Sequence, residues 1–214
     1  MFASRKSGRP RLTAAGLVLL WLAAHQAGAQ LVDWEAALAA AAANSSFVAV
    51  EASADTGGGT PAILTAGNFA DTLNFGPPPA LANPSGQDGV VARIDPGGAP
   101  PWDVSWKLQA ASAAGNVVIT DLAFGPDGNF YICGSYSEDV TFGTTSLSAP
   151  GGTRGFVAWG DPDSATPTWL GAFDVFGMAP ASLAVAGTPV DIYLTGPGVF
   201  PGDLAQKYDQ SGGP

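Results

Sequence analysis

Histidine and cysteine are almost absent from this chain, and basic residues are few. The one histidine, His25, lies in the first 29 residues, so residues 30–214 carry none. That removes imidazole acid–base catalysis, Ser-His-Asp and Cys-His nucleophiles, and histidine-bound zinc. The one cysteine, Cys133, can form no disulfide within the chain and no thiolate cage. It stands in an apolar run and reads as a buried free thiol. Of the eight Lys and Arg, four (Arg5, Lys6, Arg9, Arg11) sit at the amino terminus. Past residue 29 only Arg93, Lys107, Arg154 and Lys207 face eighteen Asp and Glu, and 4 − 18 gives a net charge near −14. Phosphate contacts need clustered bases, so nucleic acid and anionic membrane surfaces are poor partners. No phosphate loop, G-x-S-x-G or H-E-x-x-H occurs, and no cofactor is implied.

Residues 1–29 read as a cleaved signal peptide. The four bases make its basic start, residues 12–24 its apolar centre, and Ala27-Gly28-Ala29 its cleavage site. The apolar run falls short of the ~20 residues a membrane span needs, and no later segment could span after cleavage. The expectation is a secreted, extracellular or periplasmic protein, with an organelle lumen as the alternative. Asn44-Ser45-Ser46 is a glycosylation sequon on Asn44.

What is plentiful is turn chemistry, with 29 Gly and 18 Pro, and a pattern that recurs in residues 30–214. A tryptophan (Trp34, Trp106, Trp169) precedes an alanine-centred triplet (Val48-Ala49-Val50, Leu122-Ala123-Phe124, Leu183-Ala184-Val185). An apolar run then ends in Gly67, Gly134 or Gly196. An alternating strand follows and ends in Asp95, Asp161 or Asp209. Residues 65–76 match 132–143 without a gap, at an offset of 67. The units are about 34–95, 106–161 and 169–210. Period-two alternation as in Val90-Val91-Ala92-Arg93-Ile94 marks strands. Arg93 with Asp95 and Lys207 with Asp209 share a face and are placed to form surface ion pairs. Asp127-Gly128 marks a hairpin turn, and the Ala-rich residues 35–43 suit a short helix. About four strands per unit predict an all-β fold of blade-like antiparallel sheets. Only 13 residues separate Gly196 from Asp209, against 28 between Gly67 and Asp95, so unit three is expected to lack a middle strand.

The segments Asp127-Gly128-Asn129-Phe130-Tyr131-Ile132-Cys133-Gly134, Phe142-Gly143, Phe156-Val157-Ala158 and Lys207-Tyr208-Asp209, with the tryptophans, resemble the bacterial-type β-propeller repeat family. Trp159 departs from it, standing where that family has a base. The resemblance implies propeller blades. Three blades do not close a ring, so it further implies either missing blades or self-association, for example two chains forming six.

Candidate chemistry is thin. Two carboxylates can hydrolyse a glycoside, and Asp121, Asp174 and Asp191 are the acids nominated. Glu138-Asp139 and Asp161-Pro162-Asp163 offer oxygen ligands but match no EF-hand, and solvated turns suit them better. Trp102 and Trp159 break the repeat and are candidates for stacking on a sugar or anchoring a protein. The functional expectation is a non-catalytic binding or structural module for protein or polysaccharide. A carboxylate-dependent hydrolase or lyase, or a non-functional fragment, is the alternative.

Overall fold

A computed structural model describes residues 45–52, 63–74, 79–95, 103–164, 167–198 and 205–213. The chain divides into two units, Met1–Val32 and Asp33–Pro214, and every described residue belongs to the second. The expected leader, the Ala-rich residues 35–43, Trp34, Asn44 and Trp102 lie outside the described residues.

The fold is all-β, in three antiparallel sheets that follow one another along the chain. Sheet one contains β1 (Ser45–Ala52), β2 (Ile63–Leu73), β3 (Leu81–Asp95) and β4 (Asp103–Ser112), paired in that order. Sheet two contains β5 (Val117–Phe124), β6 (Phe130–Ser137), β9 (Thr153–Gly160) and β10 (Trp169–Val175). Between β6 and β9 the hairpin β7 (Val140–Phe142) and β8 (Thr145–Leu147) leaves its own sheet. It pairs with β4, so it extends sheet one to six strands. Sheet three contains β11 (Ser182–Ala186), β12 (Asp191–Thr195) and β13 (Gln206–Tyr208). The first strands lie together, with β5 against both β1 and β11.

Sheet two is the middle layer, and its sequence shows it. A strand buried on both faces carries a continuous apolar run instead of alternating polarity. In β6 and β9, Phe130, Ile132, Phe156 and Ala158 face a core shared with Leu64, Val91 and Trp106 of sheet one. Tyr131, Cys133 and Val157 face the opposite way, onto Leu183, Ile192, Leu194 and Tyr208 of sheet three. The first core is aromatic. Phe142 lies 5.0 Å from Phe156 and 5.3 Å from Trp169, ring centre to ring centre. Full burial of such a side chain contributes about 1.5–3 kcal/mol.

The hairpin expected at Asp127-Gly128 joins β5 to β6. Gly128 adopts φ 83°, its N–H bonds to the Gly125 carbonyl at 3.1 Å, and the Asp127 carboxylate accepts the Asn129 N–H at 3.3 Å. Glycine reaches that φ without steric cost.

The strand registers revise two alignments. Gly67 lies opposite Phe47 and Gly134 opposite Ile119, each beside a one-residue bulge in the first strand. Counted from Gly67, Gly134 and Gly196, the residues Ala49, Asp121 and Ser182 share a position, and Val50, Leu122 and Leu183 share the next. The counterpart of Leu122-Ala123-Phe124 is therefore Val50-Glu51-Ala52, two residues past the expected triplet. Trp106 lies opposite Arg93, but Trp169 lies opposite Gly160, where Ile94 stands in sheet one. Trp169 thus occupies the position of Val104. Both indoles still reach one core, with Phe130 at 6.0 Å from Trp106 and 5.6 Å from Trp169.

The offset of 67 holds in the backbone. Asp71 and Glu138, 67 residues apart, are the two non-glycine residues with positive φ among those described, at 66° and 62°. In unit three, β12 and β13 pair directly, so the alternating strand is present. What the short spacing omits, among the described residues, is a counterpart of the β7–β8 hairpin.

Candidate functional site

The adjoining first strands bring Glu51 of β1, Asp121 of β5 and Ser182 of β11 into one neighbourhood. The Asp121 carboxylate accepts the Leu122 N–H at 3.0 Å on one oxygen. Its other oxygen accepts the Ser182 hydroxyl and the Leu183 N–H, both at 2.8 Å. Three donors leave this acid acting as a clasp between sheets two and three. Burial pushes the Glu51 carboxyl above its ordinary value, and the negative charge of Asp121 adds to the effect. Among the described residues no three His, Cys, Asp or Glu converge as a metal site would require.

The other nominated acids stand on other strands, each with its own partners. Asp174 of β10 accepts the Tyr136 hydroxyl and pairs with Arg154 at 3.1 Å. Asp191 of β12 pairs with Lys207 at 2.9 Å. That pair corrects the expected Lys207–Asp209 match: Lys207 lies opposite Tyr193 and reaches diagonally across the strands to Asp191. Asp209 instead accepts the Ser211 hydroxyl and N–H and the Gly213 N–H, which hold its carboxyl below the ordinary value. Arg93 reaches past its own strand to the Pro162 carbonyl at 2.7 Å and Asp163 at 2.9 Å. Asp163 is thereby engaged, while Asp161 accepts its N–H at 2.8 Å. Both belong to the connection between β9 and β10 of sheet two, which Arg93 ties to sheet one.

Trp159 is half-buried. It stacks on Tyr131 at 6.3 Å and leans on Phe173 at 6.2 Å, so much of its face is spent on packing. Cys133 is fully buried, and burial pushes its thiol up to about 12.

Three residues with polar roles escaped the sequence reading. Asn68 of β2 is buried, donates to the Ile119 carbonyl at 3.0 Å and accepts the Ile119 N–H at 2.7 Å. It bridges sheets one and two by satisfying both groups of one residue. Asp88 is buried and accepts the Ser112 N–H at 2.9 Å and the Gln109 amide at 2.5 Å. Burial nevertheless raises its carboxyl above the ordinary value. Tyr136 is the third, held by Asp174. The one available signal was a polar residue inside an apolar run, as at Asp88 before Gly89-Val90-Val91.

No helix among the described residues is long and apolar enough to cross a membrane. Set against known proteins, the chain matches no family model and no curated sequence.

Proposed function

We propose that this chain is an exported, non-catalytic binding or structural module whose sheets are blades of a propeller-type β-repeat. One observation carries the reading. Sheets one and two run in the same strand order from a bulged first strand, each with a glycine opposite the bulge. Sheet three follows with its first strand beside theirs. A scaffold built this way presents loops at the strand ends, which is where binding residues concentrate. The engagement of Asp121, Asp174 and Asp191 in bonds between strands and sheets favours a scaffold role for these acids over a glycosidase pair.

The test is affinity electrophoresis of the full chain through gels holding neutral or charged polysaccharides, with reducing ends assayed in parallel. Retarded migration without release of reducing ends is the expected result for a sugar-binding module. Release that is lost in Asp121→Asn, with the far-UV circular dichroism unchanged, would replace the module with a hydrolase.

A further inference from the structure

We infer that sheet three is a separable cover that opens from sheet two while sheets one and two stay together, and that Cys133 is the group it uncovers. The two joints differ in kind. Sheets one and two share a strand ladder, since Ala110, Ala111 and Ser112 of β4 pair with Phe142, Thr141 and Val140 of β7. A backbone clasp reinforces it, with Asn68 holding both polar groups of Ile119. Two indoles also tie across, Trp106 to the Pro162 carbonyl at 3.2 Å and Trp169 to the Gln109 carbonyl at 3.0 Å. The core between them is the larger one.

No strand of sheet two pairs with a strand of sheet three among the described residues. One isolated bridge, Met178 to Gly198, joins their connecting segments. Beside that bridge the Ala179 and Ala181 N–H groups donate to the Pro197 and Thr195 carbonyls at 3.2 and 2.7 Å. The further polar ties among the described residues run through side chains: Asp121 to Ser182 and Leu183, Thr120 to the Pro180 carbonyl at 2.7 Å, and Gln210 to Tyr131 at 2.6 Å and to Asp127 at 3.3 Å. Sheet three itself has strands of five, five and three residues. Its outer face, with Ser182, Ala184, Tyr193 and Lys207, is exposed. Few buried contacts and an exposed ladder are the marks of a unit that opens below the global free energy. Cys133 lies fully buried on the sheet-two face that Leu183, Ile192 and Leu194 cover.

Native-state thiol labelling of the full chain tests this, with N-ethylmaleimide at concentrations where the rate is linear in reagent. The expected result is a labelling rate that rises with urea less than half as steeply as the global unfolding constant, because the slope follows the surface exposed. Leu194→Ala removes buried contacts of sheet three and is expected to speed labelling at least ~30-fold. Leu64→Ala, which loosens sheets one and two, is expected to change it less than ~3-fold while lowering global stability. A urea slope equal to the global one, or equal acceleration by both variants, overturns the inference. Should Leu194→Ala fail to fold, the wild-type slope decides alone.

Discussion

Gly134→Ala is the substitution from which most can be learned. Gly134 sits in β6 opposite the bulge in β5, and a Cβ there would lie 2.0 Å from the Val118 carbonyl oxygen and 3.0 Å from the Ile119 Cα. Ordinary contact needs more than 3.4 Å, and both obstacles are backbone, so no side chain can swing aside. The two strands would have to part by more than 1 Å, stretching the ladder beside Ile132 and Ile119, both fully buried. Overpacking of this kind costs about 1–3 kcal/mol or somewhat more. In a domain of this size 1 kcal/mol moves the melting temperature by about 2–4 °C, so a fall of roughly 2–12 °C is expected by circular dichroism. Valine should cost more. Gly152→Ala is the control, because nothing lies within 4 Å of its Cβ position and its φ is not positive. Its melting should stay level or rise slightly. Gly134→Ala melting within 2 °C of the parent would refute the close approach between β5 and β6.

Asn68→Ala strands the N–H and carbonyl of Ile119 in the core, and at ~1–3 kcal/mol for each orphaned group the denaturant midpoint should fall clearly. Asp88 gives a pH signature. Its folded carboxyl lies above the ordinary 3.8 because of burial. The folded state therefore holds that proton more tightly than the unfolded chain. The contribution is full below pH 3.8 and is lost as pH rises through the folded value. Urea midpoints of Asp88→Asn and the parent, compared from pH 3.5 upward, should diverge in the variant's favour as pH rises. Parallel curves would mean that Asp88 titrates normally. Asp209 runs the other way. Its lowered value stabilises the fold above pH 3.8 and is lost as pH falls, so Asp209→Asn should flatten the acid limb of the same titration.

Much of the architecture was legible in the sequence, and the limits have physical causes. The apolar run Phe156-Val157-Ala158 and the Asp127-Gly128 turn are local signals, and both marked their elements correctly. The offset of 67 between residues 65–76 and 132–143 even anticipated the paired positive φ of Asp71 and Glu138. Residue identity misled the finer alignment. The bulges fall at equivalent places in the two sheets, but Glu51 stands where Ala123 does and Gly171 where Trp106 does, so matching on alanine or tryptophan placed Val48 and Trp169 two positions off. The polar clasps were hidden for another reason. Asn68 and Asp121 act on residues 51 and 61 positions away, a separation that no local pattern encodes. The Lys207–Asp209 pair erred likewise, because a shared face along one strand says nothing of the neighbour across it.

The hairpin β7–β8 shows where this molecule can be cut. By chain order the natural scissors point is the turn between Ser112 and Val117, where sheet one ends and sheet two begins. Severed there, the amino-terminal piece loses the β7–β8 hairpin, whose first strand borders β4, and the carboxy-terminal piece carries it away as an unmatched arm. Each half then lacks a strand neighbour that the other holds, β7 for the first and β4 for the second. Such halves, co-expressed, are suited to find one another, so this linker makes the chain a candidate for split-protein reconstitution.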